Sequence, residues 1–398
     1  MKINLIISSI FPPEPLVSAK LSYDIANEVG SNEPVTVLSP VPSRPLGFNF
    51  NATVNAQHFR HVVVKSFVSP KPSITGRFLE SYSFGMSCKK FIVTHHSDIK
   101  IIYVNAWPLF AQHTIVHTAN KYKIPVVVHV QDIYPESLTN KIPVLSAILN
   151  YLLLPIDKYV LNKSTKIIAI SDSMKRYLVK TRKLNSDRVF VIRNWQDETD
   201  FTNYKNSSNP DEKIKKPFVF MYLGNIGATS DVEFLIHSFS KVAQANSKLI
   251  IAGSGSQKGR LQKLVSRLKN SDIEFCSVAD GKVPEVQSQA NVLLLPLKKG
   301  ASASSIPSKL ASYMFSGKPI IACVDEGGDT AACIIESGCG FVVPPGNIEM
   351  LSECMRKIIN LPTGELKEMG EKGLSFAEQN LSKETNLKKI VSLLISPG

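Results

Sequence analysis

Two series of short apolar runs, each run followed by a stretch with helical spacing, constrain this chain more than any other feature. The first series is KINLIISSI (2–10), VTVLSPV (35–41), IIYVNA (101–106), VVVHV (126–130), KIIAIS (166–171) and VFVIRN (189–194). The second is FVFMYLG (218–224), KLIIAGSG (248–255), IEFCSVA (273–279), NVLLLPL (291–297), KPIIACV (318–324) and GFVVP (340–344). A short run rich in Val, Ile and Leu without polar alternation suits a strand covered on both faces. Such strands interleaved with helices build a parallel sheet with helices on either side. The expected fold class is α/β, with two doubly wound, Rossmann-like domains facing a cleft at the carboxyl ends of their sheets. A length of 398 residues supports two cores rather than one. Residues 195–216 are polar and lack periodicity, so they read as a hinge. The expected boundaries are 1–200 for the first domain, 201–216 for a linker and 217–375 for the second domain. A final helix over 376–398 is expected to pack back on the first domain.

Hydrophobic residues make up 43% of the chain and charged residues 20%, the proportions of a soluble globular protein. No run approaches the roughly 18 uninterrupted apolar residues of a membrane span. The start, MKINLIISSIFPPEP, reads as a buried first strand rather than a signal peptide. Pro12 and Pro13 stop a short apolar run that has no small-residue cleavage site. The cysteines form no CxxC pair, which points to reduced thiols in a cytoplasmic protein. The net charge is +13 and uneven. Residues 1–200 hold 23 Lys and Arg against 14 Asp and Glu, whereas residues 201–398 hold 23 against 19. Nothing reads as a nucleic-acid module, so nucleic acid is not an expected partner. Basic residues instead flank apolar stretches at 77–91 and 142–166. An anionic membrane surface is therefore the expected partner of the first half. The plainer reading of those stretches is core helices with solvated lysines.

The segment from Ala301 to Gly346 carries the strongest chemical signal. It reads as a polar loop, a helix over Lys309–Ser316, a stop at Gly317 and Pro319, and a buried strand. Ser304 and Ser305 are N-cap types just before that helix. Free N–H groups at a helix start, together with Lys309, suit a nucleotide diphosphate, whose departing charge the lysine would neutralise. Lys318 reads as a surface residue. Gly224 and Gly227 after one strand, and Gly253 and Gly255 after the next, would let a phosphate or sugar approach the backbone. Neither pair makes a Walker loop or a GxGxxG fingerprint. Asp132 lies past the carboxyl end of a strand, where ligands collect in such sheets, with Glu136 as a second carboxylate. His129 falls inside the strand pattern and reads as a core histidine. No His/Cys cluster or Asp-x-Asp pair has metal spacing, so no metal is expected.

These motifs together resemble the retaining glycosyltransferases of family 4, which have the GT-B fold. The carriers are FPPEP near the start, VQDIYPES (130–137), SDSMKRYL (171–178), VIRNW (191–195), MYLGNIG (221–227), IIAGSGS (250–256) and IPSKLASYMFSGKPIIA (306–322). Within the family the chain is similar to fucosamine-transferase-like enzymes of cell-surface polysaccharides such as capsule and O-antigen. The resemblance implies a nucleotide-sugar donor, of the UDP-N-acetyl-hexosamine or deoxyhexosamine kind, held by the second domain. It implies a lipid-linked saccharide acceptor on the first domain, transfer with retention, no cofactor, and a place on the inner face of the cell membrane. Donor-binding residues would be Gly224, Asn225, Gly227, Gly253, Gly255, Val278, Ser304, Ser305, Ile306 and Ser312. Asp132 and Lys309 would be catalytic, and Glu14, Ser18 and Glu136 would meet the acceptor.

The chain departs from the family pattern in three places. Ser304 and Ser312 stand where relatives have a Glu-x7-Glu pair, so any bond to the donor there lacks charge assistance. Gln131 precedes Asp132 where many relatives have His-Asp, and Leu16-Val17 stands where relatives have glycines. Two other readings fit the same fold: a nucleotide-sugar epimerase, and a non-catalytic subunit that has lost its glutamates.

Overall fold

The computed structural model describes residues 2–44, 50, 57–71, 73–106, 108–139, 146–207, 217–227, 230–242, 246–279, 281–299 and 306–395. The chain divides into two compact units, residues 1–194 with 386–398, and residues 195–385.

Unit 1 runs β1 (Ile3–Ile7), α1 (Val17–Gly30), β2 (Val35–Ser39), β3 (Arg60–Val63), α2 (Ile74–His95), β4 (Ile99–Ala106) and α3 (Leu109–Lys121). It continues β5 (Val126–Val130), α4 (Glu136–Thr139), α5 (Ser146–Lys163), β6 (Lys166–Ala169), α6 (Asp172–Arg182) and β7 (Val189–Val191). Its seven strands are parallel in the order β3-β2-β1-β4-β5-β6-β7. The β5 sequence VVVHV is buried at every position, as a strand covered on both faces requires. Ser171 caps α6 by accepting from the Met174 N–H. The strand order reverses between β1 and β4, and such a reversal opens a crevice at the carboxyl ends of the strands.

Unit 2 runs α7 (Thr199–Ser207), β8 (Phe218–Leu223), α8 (Val232–Ser240), β9 (Ser247–Ala252), α9 (Lys258–Leu268), β10 (Ile273–Cys276), α10 (Val283–Ser288) and β11 (Val292–Pro296). Then come α11 (Ser308–Phe315), β12 (Ile320–Cys323), α12 (Asp329–Ser337), β13 (Gly340–Val343), α13 (Ile348–Ile359) and α14 (Thr363–Asn380). The parallel order is β10-β9-β8-β11-β12-β13, reversing between β8 and β11. The period of two decides which face each side chain takes. Phe220 and Tyr222 join the core on one face of the sheet, while Met221 and Leu223 join the core on the other.

Three sequence expectations change. The stretch 195–216 is not an aperiodic hinge throughout, because residues 199–207 form α7. Phe201 is buried in the core of unit 2 and its ring lies 5.9 Å from that of Phe315. The division between the units therefore falls after Asn194, and residues 208–216 lie outside those described. The last stretch is not a single helix over 376–398. Helix α14 ends at Asn380, and α15 (Lys383–Ile395) follows. Ser382 separates the two: its Oγ accepts from the Thr385 N–H and donates to Glu198. Only residues from 386 onward belong to unit 1. Finally, α11 begins at Ser308, and its cap position is Pro307 with no side-chain cap. Ser304 and Ser305, the expected caps, lie outside the described residues.

Candidate functional site

In unit 2 Gly224, Asn225, Gly227, Gly253, Gly255 and Lys309 come together at the ends of β8 and β9, while Ser304 and Ser305 lie outside the described residues. Leu223 of β8 pairs with Ala252 of β9, so the loops that start at Gly224 and Gly253 leave the sheet side by side. Gly224 has φ +153° and Gly253 has φ +134°, conformations that side chains rarely adopt. A Cβ on Gly253 would lie 2.1 Å from the Gly224 carbonyl oxygen, and one on Gly224 would lie 2.1 Å from Lys309 Cε. The lysine stem thus lies directly over the bare backbone of Gly224. Asn225, Gly227 and Gly255 complete the turn, with Ile226 N–H donating to the Ser254 carbonyl at 2.7 Å.

Helix α11 brings Lys309 to this point because Tyr313, one turn on, is tied to the end of β8. The Tyr313 hydroxyl accepts from the Leu223 N–H at 2.8 Å and donates to the Leu223 carbonyl at 2.9 Å. Lys309 Nζ donates to the Tyr222 hydroxyl at 2.6 Å and stands 4.7 Å from the centre of that ring. The Tyr222 hydroxyl in turn donates to the Asn225 carbonyl at 2.6 Å. Burial pushes the Lys309 ammonium down to about 8 and the Tyr222 phenol up to about 12. No carboxylate is paired with this ammonium among the described residues. It is a desolvated cation whose cost an incoming anion would relieve. Ser312, also on α11, accepts from Gln287 Nε2 at 2.9 Å. Val278 and Ile306 are half-buried against the same core as Tyr313.

In unit 1 the expected acceptor residues follow the carboxyl ends of β1 and β5. Glu14 is buried, with its carboxylate accepting from the N–H groups of Ser43 and Arg44 at 2.8 Å and of Phe11 at 3.2 Å. Burial raises its pKa against the pull of those donors. Glu14 therefore fixes the segment after β2 to the segment after β1. Ser18 is half-buried in the first turn of α1. Asp132 lines a small pocket with Leu109, Gln112, Val130, Tyr134, Asp157 and Leu161.

The two acidic positions of the 132–136 loop fare differently. Glu136 is clamped by Arg182, whose Nη1 and Nη2 donate to its two oxygens at 2.6 and 2.7 Å, while the Tyr177 hydroxyl donates at 2.8 Å. Burial raises the Glu136 pKa, but Arg182 and Tyr177 outweigh it and the net direction is down. Arg182 is itself buried and also holds Asp157 at 2.8 Å and the Tyr134 carbonyl at 2.9 Å. Both Glu136 oxygens are thus engaged in holding the loop that carries Asp132. His129 is fully buried and neutral, pushed down to about 3 by burial. Gln131 Nε2 donates to its Nε2 at 3.0 Å, which leaves the proton on Nδ1 for the Tyr103 hydroxyl at 2.6 Å.

Sequence reasoning missed Tyr222, Tyr313 and Arg182 as site-building residues, because each acts through a long-range contact with no local pattern. It also missed Lys258, the first residue of α9. Lys258 Nζ donates to the Gly253 and Cys276 carbonyls at 2.9 and 3.3 Å. A lysine five residues after Gly253 was the available signal. Among the described residues no group of three His, Cys, Asp or Glu could hold a metal ion.

A cavity of about 580 Å³ also lies in unit 1. Its walls come from the segments after β1, β2, β3, β4 and β5 and from α2 and α5.

Comparison with known proteins finds glycosyltransferases. Residues 23–199 match the family model described as Glycosyltransferase Family 4, and residues 217–360 match that described as Glycosyl transferases group 1. The chain is 22% identical over 320 residues to the probable glycosyltransferase WbjE of Pseudomonas aeruginosa, covering 78% of this chain and 77% of that one. Among solved structures, Anabaena HepE in complex with UDP superposes with a TM-score of 0.67 at 17% identity, covering 100% of both chains. The same protein with UDP-glucose gives 0.63 at 16%, also covering 100% of both chains. WaaG, a glycosyltransferase involved in lipopolysaccharide biosynthesis, gives 0.61 at 15%, covering 99% of this chain and 100% of that one.

Proposed function

The chain is a glycosyltransferase of the GT-B type, and we propose that it moves a sugar from a UDP-sugar to a lipid-linked saccharide in surface polysaccharide synthesis. Unit 2 holds the donor. The diphosphate pairs with the Lys309 ammonium, over the bare backbone of Gly224, with Asn225, Gly227, Gly253 and Gly255 giving it close approach. Val278, Ser304, Ser305, Ile306 and Ser312 are the remaining donor-binding residues in this reading. That HepE binds UDP and UDP-glucose on the same fold supports the choice of nucleotide.

Unit 1 holds the acceptor. Asp132 orients the acceptor hydroxyl, Glu14 and Ser18 shape the approach, and Glu136 positions Asp132 through Arg182. The acceptor oxygen bonds to the anomeric carbon as the bond to the diphosphate breaks. The proton passes to the departing phosphate oxygen on the same face, which retains configuration. The donor is a UDP-N-acetyl-hexosamine or a deoxyhexosamine relative. No metal takes part, and the protein works on the cytoplasmic face of the membrane. No helix among the described residues is long and apolar enough to cross a membrane, so membrane contact is peripheral in this reading. The WaaG likeness and the basic first half support the surface-polysaccharide setting.

The observation that carries the reading is the desolvated Lys309 ammonium at the end of β8, which has no acidic partner among the described residues. The test is transfer from radiolabelled UDP-sugars to membrane lipid extracts. Wild type transfers from one donor, and Lys309→Met loses UDP affinity at least tenfold. Absence of UDP binding by the wild-type chain would sink the proposal.

A further inference from the structure

The cavity in unit 1 lies at the carboxyl ends of the strands, where a doubly wound sheet collects ligands. Its volume falls within the roughly 300–1,000 Å³ of ligand sites. Filled with water at ~30 Å³ per molecule it would hold about 20, against walls such as Phe78, Phe84, Leu109, Phe110, Leu138 and Leu153. Water in such a space gains few hydrogen bonds, whereas hydrocarbon loses nothing. The lining is not uniformly apolar. Arg44, Arg77 and Glu80 all border it, two cations against one anion, with Arg44 paired to Glu80 at 3.0 Å and Arg77 exposed. An apolar chamber with guanidinium groups on its border matches a molecule with a hydrocarbon body and a phosphate head.

Two further observations say where that molecule comes from. Phe67, Val68, Ile74 and Phe78 line the cavity and are also 39–52% exposed, so the apolar lining continues to the surface. The helices that wall it carry more exposed apolar side chains, Leu79 and Tyr82 on α2 and Tyr151 and Leu152 on α5. The chamber also borders the proposed acceptor site. Leu109 and Tyr134 line both the cavity and the small pocket of Asp132. Ser43 and Arg44, whose N–H groups Glu14 holds, line the cavity as well.

We infer that this cavity takes up the first isoprenoid or alkyl units of a lipid-phosphate acceptor, drawn from the bilayer, with Arg77 and Arg44 on its phosphate. The inference rests on the lipid-linked acceptor proposed above and assigns a binding site to its lipid part. Placing the chain there sets the distance from phosphate to saccharide and so selects which hydroxyl reaches Asp132.

The test is calorimetry on the full chain with geranylgeranyl diphosphate, geranylgeraniol and inorganic diphosphate. Geranylgeranyl diphosphate is expected to bind, and inorganic diphosphate at the same concentration to bind at least tenfold more weakly. Ser66→Trp and Leu149→Trp each fill part of the chamber and are expected to weaken geranylgeranyl diphosphate at least tenfold. UDP affinity should be unchanged, and the UDP-insensitive melting transition of unit 1, read in the same samples, certifies that this unit stays folded. Arg77→Gln should weaken geranylgeranyl diphosphate several-fold and leave geranylgeraniol unchanged. Equal binding of geranylgeranyl diphosphate by wild type and by both filled variants would overturn the inference while leaving the donor reading intact. Loss of UDP binding in the wild type with isoprenoid binding retained would do the reverse.

Discussion

At the scale of single residues, a buried cation and two carboxylates sharing one cation set opposite expectations. Burial holds the Lys309 ammonium near 8, below its ordinary 10.5. Between those values the unfolded chain binds a proton that the folded chain does not, so the unliganded protein gains stability as pH rises through this window. A bound diphosphate favours the charged form and moves the pKa back up. UDP affinity should therefore be flat below pH 7 and fall by up to tenfold per unit above about pH 8. Calorimetric titrations from pH 6.5 to 9.5 read this directly, and Lys309→Met should abolish the slope. A wild-type affinity that stays level to pH 9.5 would exclude Lys309 as the phosphate partner. Arg182 presents the converse case. It is buried, and Asp157 beside it is pushed up to about 6 by burial even with the guanidinium present. Arg182→Met strands both Asp157 and Glu136, and removal of one side of a buried ion cluster costs about 3–5 kcal/mol. Asp157 sits above its unfolded value of 3.8, so the folded form favours the protonated acid and stability falls as pH rises through that window. Thermal melts of Arg182→Met should therefore show a larger loss at pH 8 than at pH 5.

At the scale of elements, α2 turns two kinds of side chain to two surroundings. Phe84, Cys88 and Ile92 are buried, whereas Ile74, Phe78, Tyr82 and Met86 are 40–52% exposed at four-residue spacing. That exposed stripe lies beside Lys89 and Lys90, both solvated, which is the composition of a helix that rests on anionic headgroups. Leu79→Glu combined with Tyr82→Glu should cut co-sedimentation with phosphatidylglycerol vesicles at least fivefold and leave UDP affinity alone. Retained sedimentation would remove α2 from the membrane contact. The same helix shows what a sequence can and cannot convey. Strands such as VVVHV and FVFMYL announce themselves because burial on both faces forces an unbroken apolar run. β3 does not, because it lies at the sheet edge with both ends exposed, so no run is required of it. α7 reads as aperiodic because Phe201 is its one buried residue, and one residue has no period. Gly224 and Lys309 could each be picked out, but not their contact across 85 positions, which the strand order of unit 2 creates. Tyr222 looked like any strand residue until that contact gave its hydroxyl two partners.

At the scale of the whole molecule, the chain leaves unit 1 at Asn194 and returns to it at Asn386. The last helix is a structural part of the first unit, although it follows the second in sequence. Leu387, Ile390 and Leu394 are buried at 4%, 0% and 1% exposure. Lys100 donates to the Ile395 carbonyl at 3.1 Å while holding Glu33 at 2.7 Å, and Lys166 donates to the Leu393 carbonyl at 3.2 Å. Asn386 Nδ2 donates to the Arg193 carbonyl at 3.2 Å. Full burial of a Leu or Ile side chain is worth about 1.5–3 kcal/mol, so three of them approach the ~5–15 kcal/mol that holds an ordinary domain together. Truncation after Thr385 should therefore unfold the distant residues 1–194 and spare the adjacent residues 195–385. A two-transition melt separates the cases, because UDP bound only by unit 2 raises only that unit's transition. In the full chain one transition moves with UDP and one does not. In the truncated chain the UDP-sensitive transition remains, the other is lost or falls by at least 10 °C, and trypsin cuts within residues 1–194. A truncated chain that keeps both transitions would show that residues 386–395 merely lie on unit 1. One that loses both would show that the two units fold as a single cooperative body.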